Sequence, residues 1–306
     1  MFCRRSMTQS HIYGYNGCAS VSDARVYEGG VMRKNLIKRD WRTLLAAAYV
    51  WQPVTDLWTK TTAWPVVGKL FGWIVNEKHY DVTFIPINQE LEGDASAVVP
   101  KQVVEEMIRR SCHRVILPIC LCRVGCRCQD YPMEIGCIFL GEGAKQIDPS
   151  IGRAVSVEEA LEHMERSIAA GLIPQIGRVD PDPLMLGVKI KDWGRFLTLC
   201  FCCTCCCIAM RNQLSWDPDT RRRMHRLEGL SIEVDGECDG CGKCAKRCFA
   251  QAIVIEDKRA CITDACKGCG ICVEVCPRDA MSINVTDGDK MLEEAFRRIE
   301  RYADIT

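Results

Sequence analysis

Apolar residues recur with a helical period in some stretches of the chain and with a strand period in others. Val103, Val104, Met107 and Ile108 mark one face of a helix from Lys101 to Arg110. It starts just after Pro100, where a missing N–H costs nothing. "SVEEALEHMERSIAAG" predicts a second helix. Ser156 caps it, Glu159 completes a capping box, and Gly171 suits its C-terminal stop. Ala160, Leu161, Met164 and Ile168 form its buried side, and His163 is expected to face solvent. A third helix, in "DKMLEEAFRRIERYADI", presents Leu292, Ala295, Phe296 and Ile299 to the body of the protein. Short apolar runs read as strands: "RVILPI", "LIPQIGRV", "RFLTL", "LSIEVD", "AIVIED" and "AMSINV".

Tryptophan is concentrated near the start. Five of the seven lie between residues 41 and 73. In "RDWRTLLAAAYVWQPVTDLWTK", Trp41, Leu44, Leu45, Ala48 and Trp51 keep helical spacing until Pro53, which is expected to interrupt the helix. In "AWPVVGKLFGWIV", Trp64, Val67, Leu70, Phe71 and Ile74 share a side. Lys34, Lys38, Arg39 and Arg42 flank the first stretch. A cationic, Trp-bearing amphipathic helix can lie in a membrane interface without crossing it. The plainer reading is an arm packed on the protein's own core or on a partner subunit. No run reaches the roughly 18 apolar residues of a spanning helix. Residues 1–31 lack the apolar core of a signal peptide and read as a flexible tail, with Met32 as an alternative start.

The 306 residues carry 40 basic and 40 acidic side chains, so nothing points to nucleic acid. Arg221, Arg222, Arg223 and Arg226 form one basic knot, read as a solvated surface or a docking patch for an acidic partner. Cysteine changes the picture. There are 23, an odd number, and they are clumped. A long chain with adjacent cysteines suits metal ligation in a reducing compartment better than a disulfide scaffold.

"CDGCGKCAKRC" contains Cys238, Cys241, Cys244 and Cys248. "CKGCGICVEVCP" contains Cys266, Cys269, Cys272 and Cys276. Both read C-x2-C-x2-C-x3-C, in which three closely spaced thiolates wrap three corners of an iron–sulfur cube. Gly240, Gly242, Gly268 and Gly270 let the backbone turn tightly there. Over about residues 230–286 the chain resembles the two-cluster bacterial ferredoxins. The resemblance implies one 4Fe–4S cluster on Cys238, Cys241, Cys244 and Cys276, and a second on Cys266, Cys269, Cys272 and Cys248. Phe249 departs from it, standing where the first motif has proline; that alters loop rigidity and not ligation. Cys261 lies outside both runs and reads as a small buried residue on a strand.

Eleven more cysteines form two groups: Cys120, Cys122, Cys126, Cys128 and Cys137, then Cys200, Cys202, Cys203, Cys205, Cys206 and Cys207. Each group follows a predicted strand, so two strand ends could bring them to one edge of a small sheet. Eleven thiols can serve two clusters, or one larger cluster with some to spare. Adjacent cysteines cannot easily reach two corners of one cubane, which suggests bridging thiolates or neighbouring clusters. A zinc–thiolate nest, a redox-active dithiol and lipidation are the competing readings. His113, just before the first strand, is a further candidate ligand or hydrogen-bond donor, or a plain core residue.

Over about residues 80–286, "GCIFLGEGA", "GLIP-x-IGR" and "C-x-CC-x-CCC" before a dicluster module resemble a family of anaerobic 4Fe–4S ferredoxin-like proteins. That resemblance implies electron transfer and no particular substrate. Heterodisulfide reductase subunits are a looser analogy, and their CCG motif is absent. No Walker loop or complete G-x-G-x-x-G motif occurs.

The expected fold is α+β: a small α/β cysteine-rich domain, then a ferredoxin-like dicluster (βαβ repeat) domain, with an N-terminal helical arm. The expected boundaries are a tail at 1–31, the arm at 32–79 and the cysteine-rich domain at 80–226. The dicluster domain follows at 227–288 and a terminal helix at 289–306. The expected function is single-electron relay through two 4Fe–4S clusters, to or from further iron–sulfur in the middle domain. The chain would be a carrier, or a subunit of an oxidoreductase complex, with protein redox partners. Its expected place is the cytoplasm, with membrane-surface contact through residues 32–75. Two alternatives remain open: a reductase acting at the middle site on a disulfide, quinone or other small molecule, and an assembly subunit anchored by its Trp arm.

Overall fold

A computed structural model describes residues 41–62, 64, 79–86 and 100–306. Every described residue belongs to one compact unit within 35–306. The expected tail, the alternative start at Met32 and the second Trp-bearing stretch beyond Trp64 lie outside the described residues.

The apolar runs become strands. In order they are β1 (Tyr80–Phe84), β2 (Arg114–Ile116), β3 (Ile138–Leu140), β4 (Arg153–Ala154), β5 (Ile173–Val179), β6 (Leu197–Cys202) and β7 (Met224–Arg226). These seven form one sheet in the order β4-β2-β3-β6-β5-β1-β7. Every pairing is antiparallel except β1 with β7, so this part of the molecule is α+β in the strict sense. Beyond it, β8 (Leu230–Val234) pairs with β11 (Met281–Val285), and β9 (Ile253–Glu256) pairs with β10 (Arg259–Ile262).

Strand alternation sorts the side chains. Ile116, Ile138, Leu140, Ile176, Leu197, Leu199 and Phe201 turn to one face. There they meet helix α2 (Pro100–Arg110) through Val103, Val104, Met107 and Ile108, and helix α4 (Val157–Ala169) through Ala160, Met164 and Ile168. The capping box at Ser156 and Glu159 is present. The intervening α3 (Leu121–Cys126) follows β2. His163 overturns the solvent-facing expectation. It is buried on the same side as Ala160, its Nε2–H donates to the Gly136 carbonyl at 2.9 Å, and its ring meets Phe201 edge-on. Burial lowers its pKa and keeps it neutral.

Helix α1 (Trp41–Thr62) packs elsewhere, with Leu44 joining Val115, Leu117 and Phe139. Pro53 does not end it. The carbonyl that proline leaves without a donor is Tyr49's, and Tyr49 and Pro53 are both exposed, so water can serve it. The buried face is Leu44, Ala48, Gln52, Thr55 and Thr59. Gly125 on α3 makes the close approach possible: a Cβ there would lie 2.7 Å from the Ala48 carbonyl oxygen.

The terminal helix α5 (Gly288–Glu300) buries Met291, Ala295 and Ile299, with Leu292 and Phe296 half-buried beside them. Arg298 ties it to β1 by two hydrogen bonds to Asp81, at 2.9 and 2.7 Å.

Candidate metal centres

The C-terminal cysteines sit in two loops of matching shape. Gly240, Gly242, Gly268 and Gly270 all have positive φ, as the tight turns require. At Gly240 a Cβ would fall 2.6 Å from the Lys258 backbone, so the loop also needs the missing side chain for space. Cys238, Cys241, Cys244 and Cys276 line one small hollow. Cys248 instead lies beside Cys266, Cys269 and Cys272. The fourth cysteine of each run is therefore grouped with the first three of the other.

Backbone N–H groups point at several of these sulfurs. Ala260 donates to Cys238, Ala252 to Cys248, Gly268 to Cys266 and Ala280 to Cys276, at 3.3–3.4 Å. Such donors favour a charged sulfur. Burial opposes them: it pushes the Cys269 thiol up to about 12 and raises Cys272 as well. A metal ion in place of the proton resolves that conflict, so this donor set fits iron–sulfur ligation.

The eleven middle cysteines do not form one group. The ends of β2 and β6 and the start of β3 share a sheet edge, and alternation then divides the thiols. Cys200 and Cys202 project on the face opposite Phe201. Beyond the strand, the chain turns Cys203 and Cys206 to the Phe201 side, where Cys128 waits.

Cys128, Cys203, Cys205 and Cys206 form the tighter group. Their sulfurs all lie within 4.8 Å of one another, with Cys128–Cys205 at 3.7 Å and Cys205–Cys206 at 3.6 Å. Four thiolates at about 2.3 Å from one tetrahedral ion stand about 3.8 Å apart. Cubane ligands stand farther apart, because each caps a different iron. The group thus fits a single ion, which also explains how the adjacent Cys205 and Cys206 serve together.

The other face holds a cavity of about 170 Å³. Cys120, Cys122, Cys137, Cys200, Cys202 and Cys207 line it, together with Tyr80, Gln175, Asp182 and Trp216. Helix α1 roofs it with Ala48, Gln52, Thr55 and Trp58. Cys137 and Cys200 are 3.2 Å apart, and Gln175 Nε2 donates to Cys207 at 3.6 Å. Hydrogen bonding between the crowded thiols and burial together raise Cys122, Cys200 and Cys202 well above the ordinary thiol range. Cys120 goes the other way, to about 6, through a hydrogen bond from Cys122 and the charge of Arg123. Burial lifts Asp182 to about 7. It accepts a hydrogen bond from Thr198 at 2.9 Å.

Cys126 belongs to neither group. Arg211 Nη1 donates to its sulfur at 2.7 Å, while Nη2 reaches Gln52 and Asp56 on α1 at 2.7 and 2.6 Å. His113 is half-buried, away from both groups, with its pKa lowered by burial.

Arg123 stands between the two thiol groups, and the cysteine pattern did not mark it. It is fully buried, and it donates to the carbonyls of Pro132 and Phe201 at 2.8 Å and to that of Ile135. Cys120, Cys202, Cys137 and Cys203 all act on its charge, so one guanidinium serves both thiol groups. Its position inside "CLCR" was the only available signal.

The C-terminal region packs directly on this part. Cys269, Ile271 and Phe249 share an apolar cluster with Cys202 and Cys207. Lys267 Nζ donates to the carbonyls of Arg221 and Met224, at 2.9 and 2.8 Å.

A family model described as a 4Fe–4S binding domain matches residues 262–282, which contain Cys266, Cys269, Cys272 and Cys276. No curated protein and no solved structure matches the chain. The C-terminal part therefore carries a ferredoxin-type 4Fe–4S binding domain, and with the cysteines around it the chain points to iron–sulfur electron transfer. Among the described residues, no helix is long and apolar enough to cross a membrane.

Proposed function

We propose that the chain is an iron–sulfur electron-transfer protein with two 4Fe–4S clusters in residues 227–288 and further metal in residues 80–226. One cluster would be held by Cys238, Cys241, Cys244 and Cys276, the other by Cys266, Cys269, Cys272 and Cys248. The exchange of the fourth cysteines between the two loops carries this reading. When bound, each cluster exchanges single electrons at a potential set by burial and by hydrogen bonds to sulfur. The chain contributes the N–H donors at Ala252, Ala260, Gly268 and Ala280, and an apolar cluster that Cys269 shares with Cys202 and Cys207. Cys128, Cys203, Cys205 and Cys206 would hold one iron or zinc ion.

A redox partner docking at a membrane surface completes the proposal. Tyr49, Val50, Val54 and Leu57 on α1 and the nearby Trp64 are exposed, and this outward apolar surface supports it. Vesicle co-sedimentation should weaken in Val54→Asp/Leu57→Asp. Equal sedimentation of variant and parent would remove the membrane from the proposal.

Anaerobic iron and sulfide counting with EPR on the intact chain tests the core of the reading. About eight irons and eight labile sulfides are expected from the C-terminal cysteines alone. Cys269→Ser should lower both by about four. Zinc without labile sulfide in that region would overturn it.

A further inference from the structure

We infer that the six-thiol cavity is a metal centre of its own, holding a polynuclear metal–thiolate cluster distinct from the ion at Cys128, Cys203, Cys205 and Cys206. The inference rests on the reading of the chain as an iron–sulfur protein.

Three separated segments deliver thiols to this one space. Cys120 and Cys122 come from the start of α3, Cys137 from the approach to β3, and Cys200, Cys202 and Cys207 from β6 and the turn beyond it. They do not converge on a point. Among the described residues, only the Cys128 group brings three or more ligand atoms within 4.8 Å of one another. A single ion therefore cannot use the six. Several ions, each taking one or two thiolates and sharing bridging sulfurs, match thiols that surround a space. Six ligands also exceed the four of a cubane.

The space is adequate. At about 170 Å³ it is comparable to a 150 Å³ cavity that takes a benzene-sized guest. A compact core of a few metal ions and sulfides is of that order.

Two wall residues carry buried donors. Tyr80 Oη and Trp216 Nε1 are buried and have no hydrogen-bond partner among the described residues. Both line the cavity, and Tyr80 lies among Cys207, Cys202 and Cys200. A buried donor without an acceptor is costly, so native structures seldom leave one. Metal binding would turn the thiols around Tyr80 into thiolates, which are stronger acceptors, and a hydrocarbon guest would not. The buried Arg123 guanidinium supplies positive charge beside Cys120, Cys202 and Cys137, which a polythiolate centre requires.

Metal and labile-sulfide content of the full chain, purified anaerobically, tests the inference in three proteins: the parent, Cys137→Ser/Cys200→Ser and Cys205→Ser. The cavity variant should lose two or more metal ions together with labile sulfide. Cys205→Ser should lose one ion and no sulfide. Loss of no metal, or of a single ion, from the cavity variant would overturn the inference and leave a dithiol or substrate pocket. If the cavity variant fails to fold, Tyr80→Phe serves instead, because it removes only an unpartnered hydroxyl. It should keep the parent's metal content and change the visible and EPR spectra; unchanged spectra would overturn the inference. Failure of the electron-transfer reading would look different: the roughly eight C-terminal irons would be missing from all three proteins.

Discussion

Phe249 packs against Phe84, with ring centroids 5.4 Å apart and planes tilted by 41°. The residue that departs from the ferredoxin pattern is thus a joint between the C-terminal loops and the central sheet. Phe249→Ala should retain the iron proposed for the C-terminal cysteines and lower stability by about 1–2 kcal/mol, less than the 3–5 kcal/mol of a fully buried phenylalanine. Anaerobic thermal melts and iron counting check both halves. Loss of cluster iron with unchanged melting would contradict this role.

Arg123 is fully buried between two thiol groups and holds three carbonyls. Arg123→Met should cost about 3–5 kcal/mol, because it strands the groups a buried cation was satisfying. Arg123→Lys keeps the charge and loses the planar fork, so it should recover part of the loss. Equal stability of the Met and parent proteins would show that the charge is dispensable.

Gly125 decides how closely α1 approaches α3. Gly125→Ala should push the helix outward and cost about 1–3 kcal/mol through overpacking. Hydrogen exchange should rise in residues 41–62 and stay constant in β8–β11. An unchanged exchange pattern would mean that the contact yields without cost.

Arg298 and Asp81 join the terminal helix to β1. Burial would raise the Asp81 pKa, but His225 Nε2, 3.4 Å away, and the hydrogen bonds from Arg298 win and lower it. A lowered carboxyl pKa contributes stability that is present above the unfolded value and is lost as pH falls through the folded one. Arg298→Ala should therefore cost about 1.5–3 kcal/mol at neutral pH. The difference from the parent should shrink below the ordinary aspartate range. A difference independent of pH would assign the loss to packing alone.

Much of the fold is legible in the sequence because it rests on local rules. The Ser156–Glu159 box, the α2 face and the strands flanking each cysteine group follow from spacing alone. His163 was not legible, because one helical position separates a solvent face from a core face and the Gly136 carbonyl that settles it is distant in sequence. Pro53 misleads for the complementary reason: whether it ends a helix depends on what the Tyr49 carbonyl faces. The division of the eleven cysteines was half legible. Strand alternation separates Cys200 and Cys202 from Phe201, but only the tertiary turn sends Cys203 and Cys206 to Cys128 and returns Cys207 to the cavity.

The roof over the cavity also orders events in time. Helix α1 leaves the ribosome before any of the thiols it covers, since those begin at Cys120 and end at Cys207. It has nothing to pack on until the sheet exists. The Arg211 side chain that grips Gln52 and Asp56 arrives later still. Closure of the roof therefore follows assembly of the sheet, and the metal proposed for the cavity would enter before it.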